Sequence, residues 1–179
     1  MSIGLYDVTV PVLLRGLGRL SACLEKGRSH AEAAGIPAEE LIGARLAPDM
    51  LTLAGQIQRA SDTARFAVVR IGGVENVSMP DEERSFAELQ DRIARTQGFL
   101  AAVPREAIDE RTGATITVTI GRTPDATGRR PTTVRAVDYA LQFALPNFFF
   151  HVTTAYDLLR MKGVPLGKPD YIGPLGEGV

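Results

Sequence analysis

Leu145-Pro146-Asn147-Phe148-Phe149-Phe150-His151-Val152-Thr153-Thr154-Ala155-Tyr156-Asp157 places one of the chain's two histidines in a heavily apolar stretch interrupted by a proline. An imidazole buried without a partner forfeits hydrogen bonds at roughly 1–3 kcal/mol each, so His151 is expected to be buried against a polar group, a ligand or a metal. Around it, Val137, Leu141, Ala144, Phe148, His151, Ala155 and Leu158 recur at alternating steps of four and three. That is the seam of a bundle helix, and it puts His151 in register with the bundle axis. A second stripe of Leu145, Phe149, Val152, Tyr156 and Leu159 makes the helix apolar over most of its circumference, which points to a homodimer interface. Pro146 removes one backbone donor and frees the carbonyl near Gln142, predicting a kink where Asn147 and His151 project.

Working outward, the same periodicity predicts three more long helices. The first runs from about Tyr6 to Ala34, with Pro11 near its start and Gly35 at its stop; Ala38 to Leu41 adds a short helical turn. The second follows an N-cap at Asp49, with Met50, Ala54, Ile57, Ser61, Ala64, Val68 and Ile71 on its seam and Gly72-Gly73 at its end. In the third, Ser85 and Glu88 form a capping box ahead of Phe86, Leu89, Ile93, Thr96, Leu100 and Val103, and Pro104 closes the helix. Alternation in Thr115-Ile116-Thr117-Val118-Thr119-Ile120, a turn-rich stretch from Thr123 to Gly128, and Arg130-Pro131-Thr132-Thr133 beyond it predict a small β-hairpin. The fourth helix then follows a threonine N-cap, runs from about Val134 to Lys162 and stops at Gly163. The fold class is all-α: a four-helix bundle with a hairpin insert before the last helix, in one domain over residues 1–179.

Composition narrows the function classes. At 179 residues and 45% hydrophobic content, one core can bury about 70% of the unfolded chain's surface. Twenty basic and 21 acidic residues, interspersed, leave no stripe that follows a phosphate backbone, so no nucleic-acid partner is expected. No uninterrupted apolar run of membrane-spanning length is present, and no basic n-region precedes the first apolar residues; a soluble, cytoplasmic protein with no membrane partner is the expectation. Cys23, set among Leu20, Ala22 and Leu24, reads as a small core residue.

The common catalytic patterns are absent: no phosphate-cradling glycine loop, no Cys-x-x-Cys, no Gly-x-Ser-x-Gly and no His-Glu-x-x-His. The candidate pocket is therefore built around His151, with Asn147 one turn before it, Asp62 and Gln58 from the second helix, and Tyr156 as a possible proton donor. Asp62 has an alternative use in a salt bridge with Arg59, Arg65 or another helix. No metal site is expected from this set, because Ala155 follows His151 by one turn, Asn147 is a weak ligand, and the second helix contributes Gln56, Gln58 and Asp62 but no histidine.

The fourth-helix run from Leu145 to Tyr156, followed by Gly163-Val164-Pro165-Leu166-Gly167-Lys168-Pro169-Asp170-Tyr171-Ile172-Gly173, resembles the signature of an uncharacterised bacterial family in the DinB/YfiT-like superfamily. Arg45-Leu46-Ala47-Pro48-Asp49-Met50 agrees with it. The resemblance implies an up-down-down-up four-helix bundle, usually dimeric. It also implies kinship with proteins that hold nickel or zinc through one histidine on the second helix and a pair four apart on the last, and that transfer low-molecular-weight thiols or hydrolyse small substrates. Only His151 could belong to that ligand set here. The sequence therefore reads as a DinB-like bundle with a degenerate metal site, binding an unidentified small molecule near His151. The alternatives are a metal-dependent thiol transferase or hydrolase and a non-catalytic dimeric interaction protein.

Overall fold

Thr52, not Asp49, starts the second bundle helix, and the reason is local. Pro48 and Asp49 lie in a turn closed by Met50 N–H on the Ala47 carbonyl, and the Leu53 N–H donates back to the Ala44 carbonyl. The chain first becomes helical after Thr52, whose hydroxyl accepts from Gly55 N–H at 3.1 Å. The computed structural model describes residues 3–119 and 131–176. The long helices are α1 (Val10–Ala34), α3 (Leu53–Gly72), α4 (Phe86–Ala101) and α7 (Leu145–Met161), with short α2 (Ala38–Ile42), α5 (Arg105–Asp109), α6 (Ala136–Tyr139) and α8 (Lys168–Ile172) between or after them. Pro11 lies in the first turn of α1, where its missing N–H costs nothing, and Gly35 ends that helix in the left-handed region at φ 66°. Ser85 and Glu88 form the reciprocal capping box of α4.

Side-chain meetings fix the helix directions. Gly16 and Gly27 of α1 face Phe148 and Leu159 of α7, so these two run parallel. Asp62 meets Arg92 and Gln58 meets Glu83, so α3 and α4 ascend together, while Ser21 meets Gln90 and Gly18 faces Gln97, so α1 and α4 oppose each other. The result is an up-down-down-up bundle with α1 and α3 on one diagonal. Leu13, Leu17, Leu20, Leu24, Ile57, Val68, Leu89, Phe148 and Leu158 fill its centre. Cys23 is part of that core, and burial pushes its thiol up to about 11, leaving it unreactive.

The strands β1 (Thr115–Val118) and β2 (Thr132–Arg135) pair antiparallel, with Thr115 opposite Arg135 and Val118 opposite Thr132. The turn-rich stretch Thr123–Gly128 lies outside the described residues. Because Thr132 to Arg135 are committed to the sheet, the last bundle helix begins at Ala136 behind Arg135, not at Val134 behind a threonine. It is continuous from α6 into α7 through a π-helical turn, Ala140–Ala144. Leu145 N–H bonds the Ala140 carbonyl five residues back, and Pro146, which has no N–H to offer, follows at once.

That turn inserts one residue into the register. Leu141, expected on the seam, is 50% exposed, and Ala140 is buried in its place. In α7 the axis is lined by Phe148, Val152, Ala155 and Leu159, so His151 stands beside the core and is only partly buried. Of the second apolar stripe, Val152 and Leu159 are buried within the chain, while Leu145, Phe149 and Tyr156 stay partly exposed. Phe149 and Val152 line a recess of about 160 Å³ together with Val12 and Gly16 of α1 and Tyr171 and Ile172 of α8. Tyr171 packs edge-on to Tyr156 and shares a hydrogen bond with Thr153 at 2.9 Å. Arg15 donates to the Ile172 and Pro174 carbonyls, and Lys26 pairs with Asp170 at 2.6 Å, which straps this C-terminal segment to α1. None of the described helices is long and apolar enough to cross a membrane.

Candidate functional site

His151 takes its partner from α3. Its Nδ1 lies 2.7 Å from Oε1 of Gln56, a side chain only 2% exposed. The Gln56 amide is oriented by its Nε2, which donates to the Leu51 carbonyl at 3.4 Å, so the oxygen faces the imidazole and accepts from Nδ1–H. Nε2 of His151 consequently keeps its lone pair. Burial first, and then the positive charge of Arg59, pull the imidazole down to about 4, so it is neutral at physiological pH.

Two more hydrogen-bonded pairs join the same helices further along. Asn147 Nδ2 donates to Thr63 Oγ1 at 2.8 Å, and Arg70 Nη1 donates to the Tyr139 hydroxyl oxygen at 2.8 Å. Gln56–His151, Thr63–Asn147 and Arg70–Tyr139 ascend α3 while descending the last helix, as antiparallel neighbours must. On the outer side of these rungs lies a recess of about 170 Å³, lined by Arg59, Asp62, Thr63, Phe66 and Arg70 of α3, by Tyr139, Phe143, Asn147 and His151, and by Thr119. Phe143 stacks on Tyr139 with ring centroids 5.6 Å apart, and the Arg70 guanidinium lies over both the Phe66 and the Tyr139 rings.

Of the residues expected around His151, the fold gathers Asn147 and Asp62 at this recess and leaves Gln58 and Tyr156 elsewhere. Gln58 points toward α4 and donates to Glu83 at 2.9 Å. Tyr156 is on the α8 side of α7, against Tyr171. Asp62 is held by three arginines, Arg59 at 3.0 Å, Arg65 at 2.8 Å and Arg92 at 2.9 Å. Arg92, 1% exposed, also binds Asp81 and Glu83. Burial pushes the Glu83 carboxyl up, but the hydrogen bonds from Arg92 and Gln58 outweigh that and hold it below the usual range. Asp62 is thus the hub of a charge network joining α3, α4 and their connector. Asn147, expected as a partner for His151, serves Thr63 instead.

The sequence reading passed over Thr63, Phe66, Arg70 and Phe143. The signal was present: Arg59, Thr63, Phe66 and Arg70 follow at steps of four, three and four, and Tyr139, Phe143, Asn147 and His151 at steps of four, each set one face of a helix. Apolar seams draw the eye first, and these faces flank them.

Residues 5–172 match the family described as Domain of unknown function (DUF1993). The chain belongs to this family. It is also similar to the crystal structure of a DinB family member protein from Shewanella denitrificans, with a TM-score of 0.83 and 34% identity over 98% of this chain and 95% of that one. No curated protein matches the chain.

The divalent metal implied by DinB kinship does not fit the residues that this DUF1993 chain offers. Among the described residues no three His, Cys, Asp or Glu side chains gather closely enough to hold an ion. His151 has Ala155 and Asn147 as its helical neighbours, the carboxylate nearest the recess is saturated by arginines, and the Arg59 charge bears on the imidazole. A larger hollow of about 450 Å³ beside α4 is lined by Glu82, Glu83, Glu88 and Asp91. Two of these are committed, Glu83 to Arg92 and Glu88 to the capping box.

Proposed function

We propose that this DUF1993 protein binds a small organic molecule in the recess between α3 and the last helix, without a metal ion. The observation that carries the reading is the convergence of unused polar valences on one small, aromatic-walled space. Asn147 and Tyr139 each have a group left over after their rung is made, the Asn147 carbonyl and the Tyr139 O–H, and His151, whose Nε2 lone pair its rung leaves unused, lines the same recess. A π-helical turn beside the recess supports it, since such turns sit at functional sites more often than elsewhere. No transferase or hydrolase step is assigned: an imidazole held at about 4 is a weak base at neutral pH.

The test is a fragment screen read by backbone amide NMR, with elemental analysis of the purified protein. Ligands are expected to shift Thr63, Arg70, Asn147 and His151 together. Asn147→Phe, which fills the space, should abolish those shifts. Hits confined to the acidic hollow by α4, or a zinc or nickel content near one per chain, would overturn the reading.

A further inference from the structure

We infer that the recess takes a small planar monocarboxylate, with Arg70 as its anchor; this rests on the recess being a binding site. Charge balance along α3 is the first argument. Arg59 pairs with Asp62 and Asp81, and Arg65 pairs with Asp62. Among the described residues Arg70 has no carboxylate partner, and the one hydrogen bond its side chain makes to them goes to the Tyr139 hydroxyl. An arginine that lines a concave space with its charge unanswered there is a receptor for an anion.

The guanidinium is also held in place before any ligand arrives. It lies 5.0 Å from the Phe66 ring centroid and 5.7 Å from that of Tyr139, and donates one N–H to the Tyr139 oxygen. Its remaining donors form a fixed fork, and the Tyr139 O–H, whose oxygen is already an acceptor, is free to add a third bond to the same anion. At the other end the valences reverse. His151 Nε2 and the Asn147 side-chain oxygen accept, so they suit a ligand donor such as a hydroxyl or amide N–H. Asp62 also borders the space, but its charge is answered by Arg65 and Arg92 on Oδ1 and by Arg59 on Oδ2.

Size and shape select within the anions. About 170 Å³ is below the range of drug-sized sites, and Phe66, Phe143 and Tyr139 give flat walls that match a ring or other planar framework. A phosphate dianion would meet a single uncommitted guanidinium and keep one charge uncompensated, whereas a carboxylate is matched by the fork one to one.

Benzoate is the probe, with benzamide as its neutral isostere and inorganic phosphate as the rival anion, titrated by NMR into wild type, Arg70→Met, Arg70→Lys and Tyr139→Phe. Benzoate should bind the wild type with shifts at Arg70, Tyr139 and Asn147, and Arg70→Met should weaken it by about tenfold or more, the scale of a lost charge-assisted hydrogen bond. Benzamide should bind more weakly and be nearly indifferent to that change. Tyr139→Phe should weaken benzoate less than Arg70→Met does. If Arg70→Met does not fold, Arg70→Lys carries the test, since a retained charge without the fork should give an intermediate affinity. Equal binding of benzamide and benzoate, or phosphate binding tighter than benzoate, overturns the carboxylate inference and leaves the recess reading intact. Absence of shifts at Arg70, Tyr139 and Asn147 with benzoate overturns the carboxylate inference, while fragment hits confined to the acidic hollow by α4 overturn the recess reading as well.

Discussion

His151 shows how much one hydrogen bond decides. With burial penalising the cation first and the Arg59 charge opposing it second, the imidazole titrates near 4 in the folded chain, against about 6.5 when unfolded. The unfolded state therefore binds the additional proton first as pH falls. The stabilisation is complete above about pH 6.5, is lost progressively down to about pH 4 and amounts to about 1–2 kcal/mol once partial solvent exposure is allowed for. Urea denaturation at pH 7.5 and pH 5 should show wild type losing stability relative to His151→Gln on acidification; parallel losses would sink the assignment of a neutral, part-buried imidazole. At pH 7.5, His151→Ala should cost roughly 1–3 kcal/mol by stranding the buried Gln56 oxygen, and His151→Gln less.

Among the elements, glycine makes the contact of α1 with α7 possible. A Cβ on Gly16 would lie 2.3 Å from Cε1 of Phe148, a ring with no exposed surface into which to turn. Gly16→Ala should therefore lower the denaturation midpoint, overpacking by about 1–3 kcal/mol outweighing a gain of up to about 1 kcal/mol from helix propensity. Gly98 is the control: in α4, with nothing within 4 Å of a new Cβ, its replacement by alanine should raise stability by about 0.5–1 kcal/mol. Equal effects at the two positions would mean that α1 and α7 do not approach as described. The last helix makes a different point. A strict alternation of threes and fours put Leu141 on the axis, whereas the π-helical turn ahead of Pro146 delivers Ala140 to the core and turns Leu141 outward. Proline's missing donor is legible in a sequence; where the backbone takes up the slack is settled by what the neighbouring helices can accept.

At the scale of the molecule, the apolar circumference of α7 is only partly buried by its own chain. Its second stripe faces α1 and α8, and the last helix also exposes Leu141, Pro146, Phe150 and Met161 alongside Thr153 and Asp157. Light scattering at micromolar concentration tests the homodimer expected from the sequence against the 19.2 kDa of one chain. A mass of about twice that, halved by Phe150→Ser, would place a second copy on the outward face. The sequence by itself determined the four long helices, the hairpin ahead of the last one, the Ser85–Glu88 cap and the polar character of the surroundings of His151, because periodicity, caps and hydrogen-bonding need are local properties of a chain. Only the tertiary structure decided that Gln56 answers His151, that Asn147 answers Thr63, that Asp62 is held by Arg92 from another helix, and that Arg70 meets Tyr139 across 69 residues of sequence. Those choices depend on the relative height and rotation of packed helices, to which spacing within any one helix is blind.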